Sequence, residues 1–176
     1  MLSGEQDEGS VTVSDVIMLE LKLLLLLFAA NSAPVFARNV LGQRWQASID
    51  GGRMMADRQP LLGRSKTWRG LFAALLLTTV LAVLLDLSWS FGLVFGASSM
   101  LGDLFSSFIK RRLRKPASSK AIMLDQLPEA LLPLIVGRWL LDYSWTAVLL
   151  ISLLFMLTEL LISPLLFKLG VRKKPY

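Results

Sequence analysis

The sequence contains no cysteine and no histidine. That excludes disulfides, thiolate or imidazole metal sites, a Cys nucleophile and a His base, and with them most catalytic classes. Acidic residues are in the minority, 13 Asp and Glu against 19 Lys and Arg. What is left for chemistry is carboxylates, Lys and Arg, hydroxyls, and a divalent cation such as Mg²⁺ held by carboxylates.

Apolar residues are abundant and run in long blocks. With 54% hydrophobic residues and a mean hydropathy of +0.58, the chain reads as an all-α integral membrane protein. Five runs, over 14–37, 69–87, 89–109, 124–141 and 145–168, each come near the ~20 residues a helix needs to cross the hydrocarbon core. Ahead of them lies an acidic tail, 1–13. Its Glu5, Asp7 and Glu8 stand where a signal peptide would carry positive charge, so the first run is expected to belong to the mature chain.

Placement of charge sets the expected orientation. Of the 19 Lys and Arg, 17 fall in the connections 38–69 and 110–123 or in the tail from Lys168 onward, leaving Lys22 and Arg138. The positive-inside rule then puts both connections, taken as loops 38–68 and 110–123, and the C-terminus in the cytoplasm, and the N-terminus outside. Trp89, Trp139, Tyr143 and Trp145 lie where an outer aromatic belt is expected. The net charge of +6 is thus topological, and no nucleic-acid partner is expected. Without an internal repeat or linker the chain reads as a single membrane domain, 1–176, multi-pass in the cell's inner membrane; its oligomeric state is not legible.

Ionisable groups at membrane depth are costly and are functional suspects. Asp103, Ser106, Ser107 and Lys110 share one helix face at i, i+3, i+4, i+7 spacing, which suits either a polar site or a polar seam between helices. Asp125 and Glu129 are four apart at the start of the next run. That spacing lets two carboxylates share a cation, but acidic dressing of a helix start explains it equally, and Pro128 suits a first turn. Glu159 stands among leucines near Pro164, as a partner for a buried cation or as a bystander.

The first connection combines cations with glycines in "IDGGR" and "GRSKTWRG". Exposed amides beside fixed cations complement phosphate oxygens. Positive-inside charge alone accounts for the tail "KKPY" but not for Gly-Gly or Thr-Trp.

The ordered motifs "NSAPVFAR", "IDGGR", "DRQPLLGRSKTWRG", "GDLFSSFIKRRL", "LDQLPE" and "LGVRKKPY" resemble the CDP-archaeol synthase family, membrane cytidylyltransferases related to CDP-diacylglycerol synthase. The resemblance implies a five-helix enzyme that, with Mg²⁺, transfers a cytidylyl group from CTP to a lipid phosphate. Carried over motif by motif, it implies that Asn31 and Pro34 line a cavity, and that Asp50, Gly51, Gly52, Lys66, Thr67 and Arg69 form a nucleotide and phosphate loop. Asp103, Ser106, Lys110, Arg111 and Arg112 would make a second motif, and Asp125 with Gln126 a third. Within that reading Asp103 and Asp125, with Glu129 as a third ligand, are assigned to Mg²⁺; Lys66, Arg69, Lys110 and Arg111 neutralise phosphates, and Thr67 and Ser106 donate hydrogen bonds. Asp103, Asp125, Lys110 and Lys66 are the catalytic candidates.

Two departures stand out. The family follows Asp-Gln-Leu with a second Asp where this chain has Pro128 and Glu129, and Glu159 and Ser163 stand near positions expected to be His and Asn. They are compatible with a bacterial member acting on a different lipid phosphate. A transporter would spread polarity through the membrane depth, and a non-catalytic scaffold binding phosphate or anionic lipid would account for the basic loops alone.

Overall fold

The computed structural model describes residues 12–115 and 122–168, with side chains over 12–115 and 126–162. Five helices follow one another: α1 (Val13–Leu41), α2 (Trp68–Leu84), α3 (Trp89–Arg112), α4 (Ile122–Leu141) and α5 (Trp145–Lys168). Their starts are written in local chemistry. Thr12 and Asp15 form a reciprocal capping box ahead of α1, and the hydroxyls of Thr67 and Ser88 accept from Gly70 N and Phe91 N to cap α2 and α3. Each satisfies amides that the first helical turn leaves without partners.

The boundaries depart from the sequence reading in informative ways. α1 extends beyond residue 37 to Leu41, where Gly42 turns the chain at φ +53°. α3 extends three residues past 109, carrying Lys110, Arg111 and Arg112 into its last turn, where cations complement exposed carbonyls. α4 starts at Ile122, so Pro128 lies inside the helix and not in its first turn. α5 runs on through the position of Pro164.

α1 touches all four other helices, and α3 lies between α2 and α4. The core joins Leu23, Leu26 and Leu27 of α1 to Phe91 and Phe95 of α3, Leu134 of α4 and Phe155 of α5. Small residues bring α3 close to its neighbours. A side chain added at Gly96 would collide with Thr78 of α2, and one at Gly102 with the backbone carbonyl of Pro128 on α4. Such seams are how helices associate where lipid removes the hydrophobic drive. The outward faces are apolar: Phe72, Leu76 and Leu84 on α2 and Leu149, Leu150 and Leu161 on α5 are exposed. Among the described residues α3 and the Trp145–Ile162 part of α5 are long and apolar enough to span a membrane.

The connection 42–67 is folded. Isolated antiparallel bridges pair Ser48 with Thr67 and Met54 with Pro60, and the hydrogen bonds Ile49 N to Lys66 O (2.9 Å), Leu61 N to Arg53 O (2.9 Å) and Met55 N to Gln59 O (2.9 Å) make it a short irregular hairpin. It returns the chain to α2 with Lys66 and Thr67 beside α3.

Candidate active site

α3 supplies the polar face expected from spacing. Ser106, Ser107, Lys110 and Arg111 are buried, and Asp103 stands at the side of the helix that meets the hairpin. Both oxygens of the Asp103 carboxylate accept from Lys66 Nζ at 2.5 Å. Across the α3–α4 seam Glu129 hydrogen-bonds the same carboxylate, and Lys110 bears on it electrostatically. Two carboxyl groups and two ammonium groups thus converge at a point where three elements meet. Beside them lies a cleft lined by Pro34, Ser65, Lys66, Thr67, Asp103 and Gly70, with Ile49, Leu71, Met100 and Leu104 as its apolar wall. Its volume is about 60 Å³, room for a phosphate-sized group.

Other predicted residues sit elsewhere. Asn31 donates through Nδ2 to Leu27 O (3.0 Å) on its own helix and is not part of the cleft wall, which α1 reaches through Pro34. Ser106 Oγ donates back to Asp103 O (3.0 Å), so its proton is directed at the backbone. Gln126 buries an Oε1 with no hydrogen-bond partner among the described residues, an orphan of the kind that a polar ligand relieves. The side chain of Asp125 lies outside the described residues.

The glycine-rich loop is organised around Asp50. Its carboxylate accepts from Gly52 N (3.0 Å), Leu62 N (2.9 Å) and Gly63 N (2.9 Å), the amides that a phosphate would otherwise meet. Gly51 and Gly52, at φ +58° and +75°, provide the left-handed turn this requires. Burial pushes the Asp50 carboxyl up, but the amides of Gly63, Gly52 and Leu62, with the Ser48 hydroxyl, outweigh it and hold it down to about 2. A folded pKa below the unfolded one contributes stability above the unfolded value, and that contribution is lost as pH falls through the folded one. Asp50→Asn is therefore expected to cost roughly 2 kcal/mol near neutral pH. In thermal unfolding against pH, the gap between wild type and variant should close between about pH 4 and pH 2; a gap that persists there would mean that the carboxylate charge is not what fastens the loop.

Two arginines of the expected motifs, Arg69 of the nucleotide and phosphate loop and Arg112 of the second motif, hold backbone carbonyls. Arg69 donates through Nη1 to Gly42 O (2.8 Å) and Arg44 O (2.7 Å), securing the turn that follows α1. Arg112 donates to Asp57 Oδ1 (2.5 Å) and to the carbonyls of Pro60 (2.7 Å) and Gln59 (3.4 Å). Some desolvation raises the Asp57 carboxyl, but the Gln59 amide and Arg112 hold it below the usual range. Asp57 and Ser65 went unassigned in the sequence; the one available signal was that Asp57 is one of only two acids in a strongly basic connection.

The family model described as "CarS-like: CDP-archaeol synthase" matches residues 83–176, more than half of the chain and the part that carries Asp103, Lys110 and Glu129. The chain belongs to the CDP-archaeol synthase family. It is similar to the CDP-archaeol synthases of Hyperthermus butylicus, 37% identical over 105 residues, and Thermococcus kodakarensis, 36% identical over 115 residues. The matched stretch covers 56% and 59% of this chain and 60% and 64% of those relatives, so it spans a little under two thirds of their length. A solved structure described as "Structural insight into an intramembrane enzyme for archaeal membrane lipids biosynthesis" superposes with a TM-score of 0.70 at 27% identity, covering 85% of this chain and 92% of its own. That likeness and the exposed apolar helix faces suggest a membrane protein. Both of these relatives are archaeal, and a bacterial member finds no support among them.

Proposed function

We propose that this chain is a cytidylyltransferase that moves CMP from CTP to a membrane lipid phosphate, giving a CDP-activated lipid and pyrophosphate. The observation that carries the reading is the Lys66–Asp103–Glu129 cluster beside a small, half-apolar cleft in a member of this family. The cleft has the right duality for a lipid phosphate, with cation and hydroxyl at one side and Met100, Leu104 and Leu71 at the other.

In this reaction an oxygen of the lipid phosphate bonds to the α-phosphorus of CTP while the bond to the bridging oxygen breaks, and pyrophosphate leaves with the electron pair. The nucleophile is already an anion, so no protein base is needed, and a chain without His or Cys can carry out the transfer by positioning and charge compensation. Lys66 Nζ, held at the cleft by Asp103, is placed to take a phosphate oxygen in exchange for the carboxylate. Lys110 and Arg111, buried at the end of the same helix, add positive potential where two anions must approach each other. Thr67 lines the cleft with its hydroxyl.

Mg²⁺ suits the donor set. Asp103 and Glu129 bring two carboxyl groups into hydrogen-bond contact across the α3–α4 seam; on giving up the shared proton they would offer the hard oxygens with which Mg²⁺ is commonly held, one or two carboxylates together with substrate phosphates. Among the described residues no cluster of three acidic side chains occurs; Asp125, one turn before Glu129, is the third candidate. When bound, the cation would withdraw charge from the phosphates and orient them.

The site is read as facing the cytoplasm. The chain crosses the cell membrane five times as one domain, with the N-terminus outside and the C-terminus inside, as the basic connections require. The test is turnover of labelled CTP by purified protein in detergent, with and without Mg²⁺, against a panel of lipid phosphates. CDP-lipid that forms only with Mg²⁺ is the expected result, and the preferred panel member identifies the lipid. Folded protein that neither binds CTP nor forms product would overturn the reading.

A further inference from the structure

We propose that Arg112 is a positioning residue: from the last turn of α3 it latches the hairpin 42–67 against that helix so that Lys66 stays opposite Asp103, and its guanidinium serves the hairpin instead of substrate phosphate.

The contacts form a continuous path. The guanidinium joins the Asp57 carboxylate to the carbonyls of Gln59 and Pro60 and lies over the Phe108 ring at 5.3 Å. Asp57 Oδ1 also accepts from Gln59 N (3.1 Å), so one oxygen ties the cation to the turn itself. From Pro60 the order passes through Leu61 N to Arg53 O, through Leu62 and Gly63 into the Asp50 carboxylate, and through Lys66 N to Gly63 O (3.2 Å). Lys66 then reaches Asp103.

The hairpin is therefore fastened to α3 at two ion pairs, Asp57–Arg112 and Lys66–Asp103, about 13 Å apart at the helical rise. The second pair consists of the groups proposed to meet substrate, and it must be exchanged when a phosphate arrives. The first contains none of the groups lining the cleft and can stay closed throughout. Arg69 holds the start of the hairpin to α2, but without the Asp57–Arg112 pair, exchange at Lys66 would loosen its hold on α3. A planar fork that bridges a carboxylate and two carbonyls is something arginine offers and lysine does not.

The inference rests on the proposed function only for what Lys66 and Asp103 do; the latch itself is read without turnover. Full-length protein in detergent, free of nucleotide, is compared as wild type, Arg112→Lys, Asp57→Asn and the double variant by amide hydrogen exchange over residues 54–63. Both single variants are expected to exchange about tenfold faster there, with the core around Phe155 unchanged. The double variant should be no worse than either single one, since both remove the same interaction. Where wild type turns over, both single variants should lose turnover together. Unchanged exchange in the single variants would overturn the latch. So would full turnover in Asp57→Asn with loss in Arg112→Lys, the pattern of an arginine that binds phosphate directly.

Discussion

Asp103→Asn and Lys66→Met are each expected to lower CDP-lipid formation by about 10²–10³-fold, the loss usual when one preorganised electrostatic partner is removed from a site. The two side chains are only about one-fifth exposed, so each variant also leaves a charge without its partner in a poorly hydrated place. That costs roughly 1–3 kcal/mol of stability. A single variant therefore mixes two effects, and the double variant Lys66→Met with Asp103→Asn separates them. Removing both charges should recover most of the stability while activity stays at the level of the worse single variant. Turnover and thermal unfolding of all four proteins check this. If the double variant regains activity along with stability, the pair is a structural fastener and the reacting groups lie elsewhere.

Gly102→Val should destabilise the protein by roughly 2–3 kcal/mol, seen as a fall in Tm of roughly 5–10 °C. The added Cβ would run into the Pro128 carbonyl and the Glu129 amide, and backbone cannot rotate aside as a side chain does. α3 and α4 have to separate, which moves Glu129 away from Asp103, so turnover should fall by more than the loss of folded protein explains. Gly70→Ala is the comparison: its Cβ would sit 3.1 Å from the Pro34 Cβ, a contact that a shift of a few tenths of an ångström relieves. Equal unfolding temperatures for Gly102→Val and wild type would show that the seam opens without cost.

The helices were legible because their cause is local. An apolar run of bilayer length has to satisfy its own amides, and Thr67 and Ser88 stop each preceding connection by capping the next helix. The face shared by Asp103, Ser106, Ser107 and Lys110 follows from helical period alone, and the order of motifs pointed to the family. Pro128 is the exception: proline suits a first turn, but α4 begins at Ile122, two residues ahead of the apolar run, and Pro128 falls in its second turn.

What each cation does depended on the tertiary structure. By composition Lys66, Arg69, Arg111 and Arg112 are interchangeable positive charges in basic connections. The fold gives Lys66 a carboxylate, Arg69 two carbonyls of the turn after α1 and Arg112 the hairpin. It likewise turns Asp50 inward onto three amides. Backbone carbonyls and amides are present at nearly every position and carry no sequence label, so which of them lie within reach of a given side chain is settled only when distant segments pack. Residue order alone sets where the chain is apolar and where charge gathers; the packing of distant segments selects which of those charges hold the structure and which are left facing the cleft.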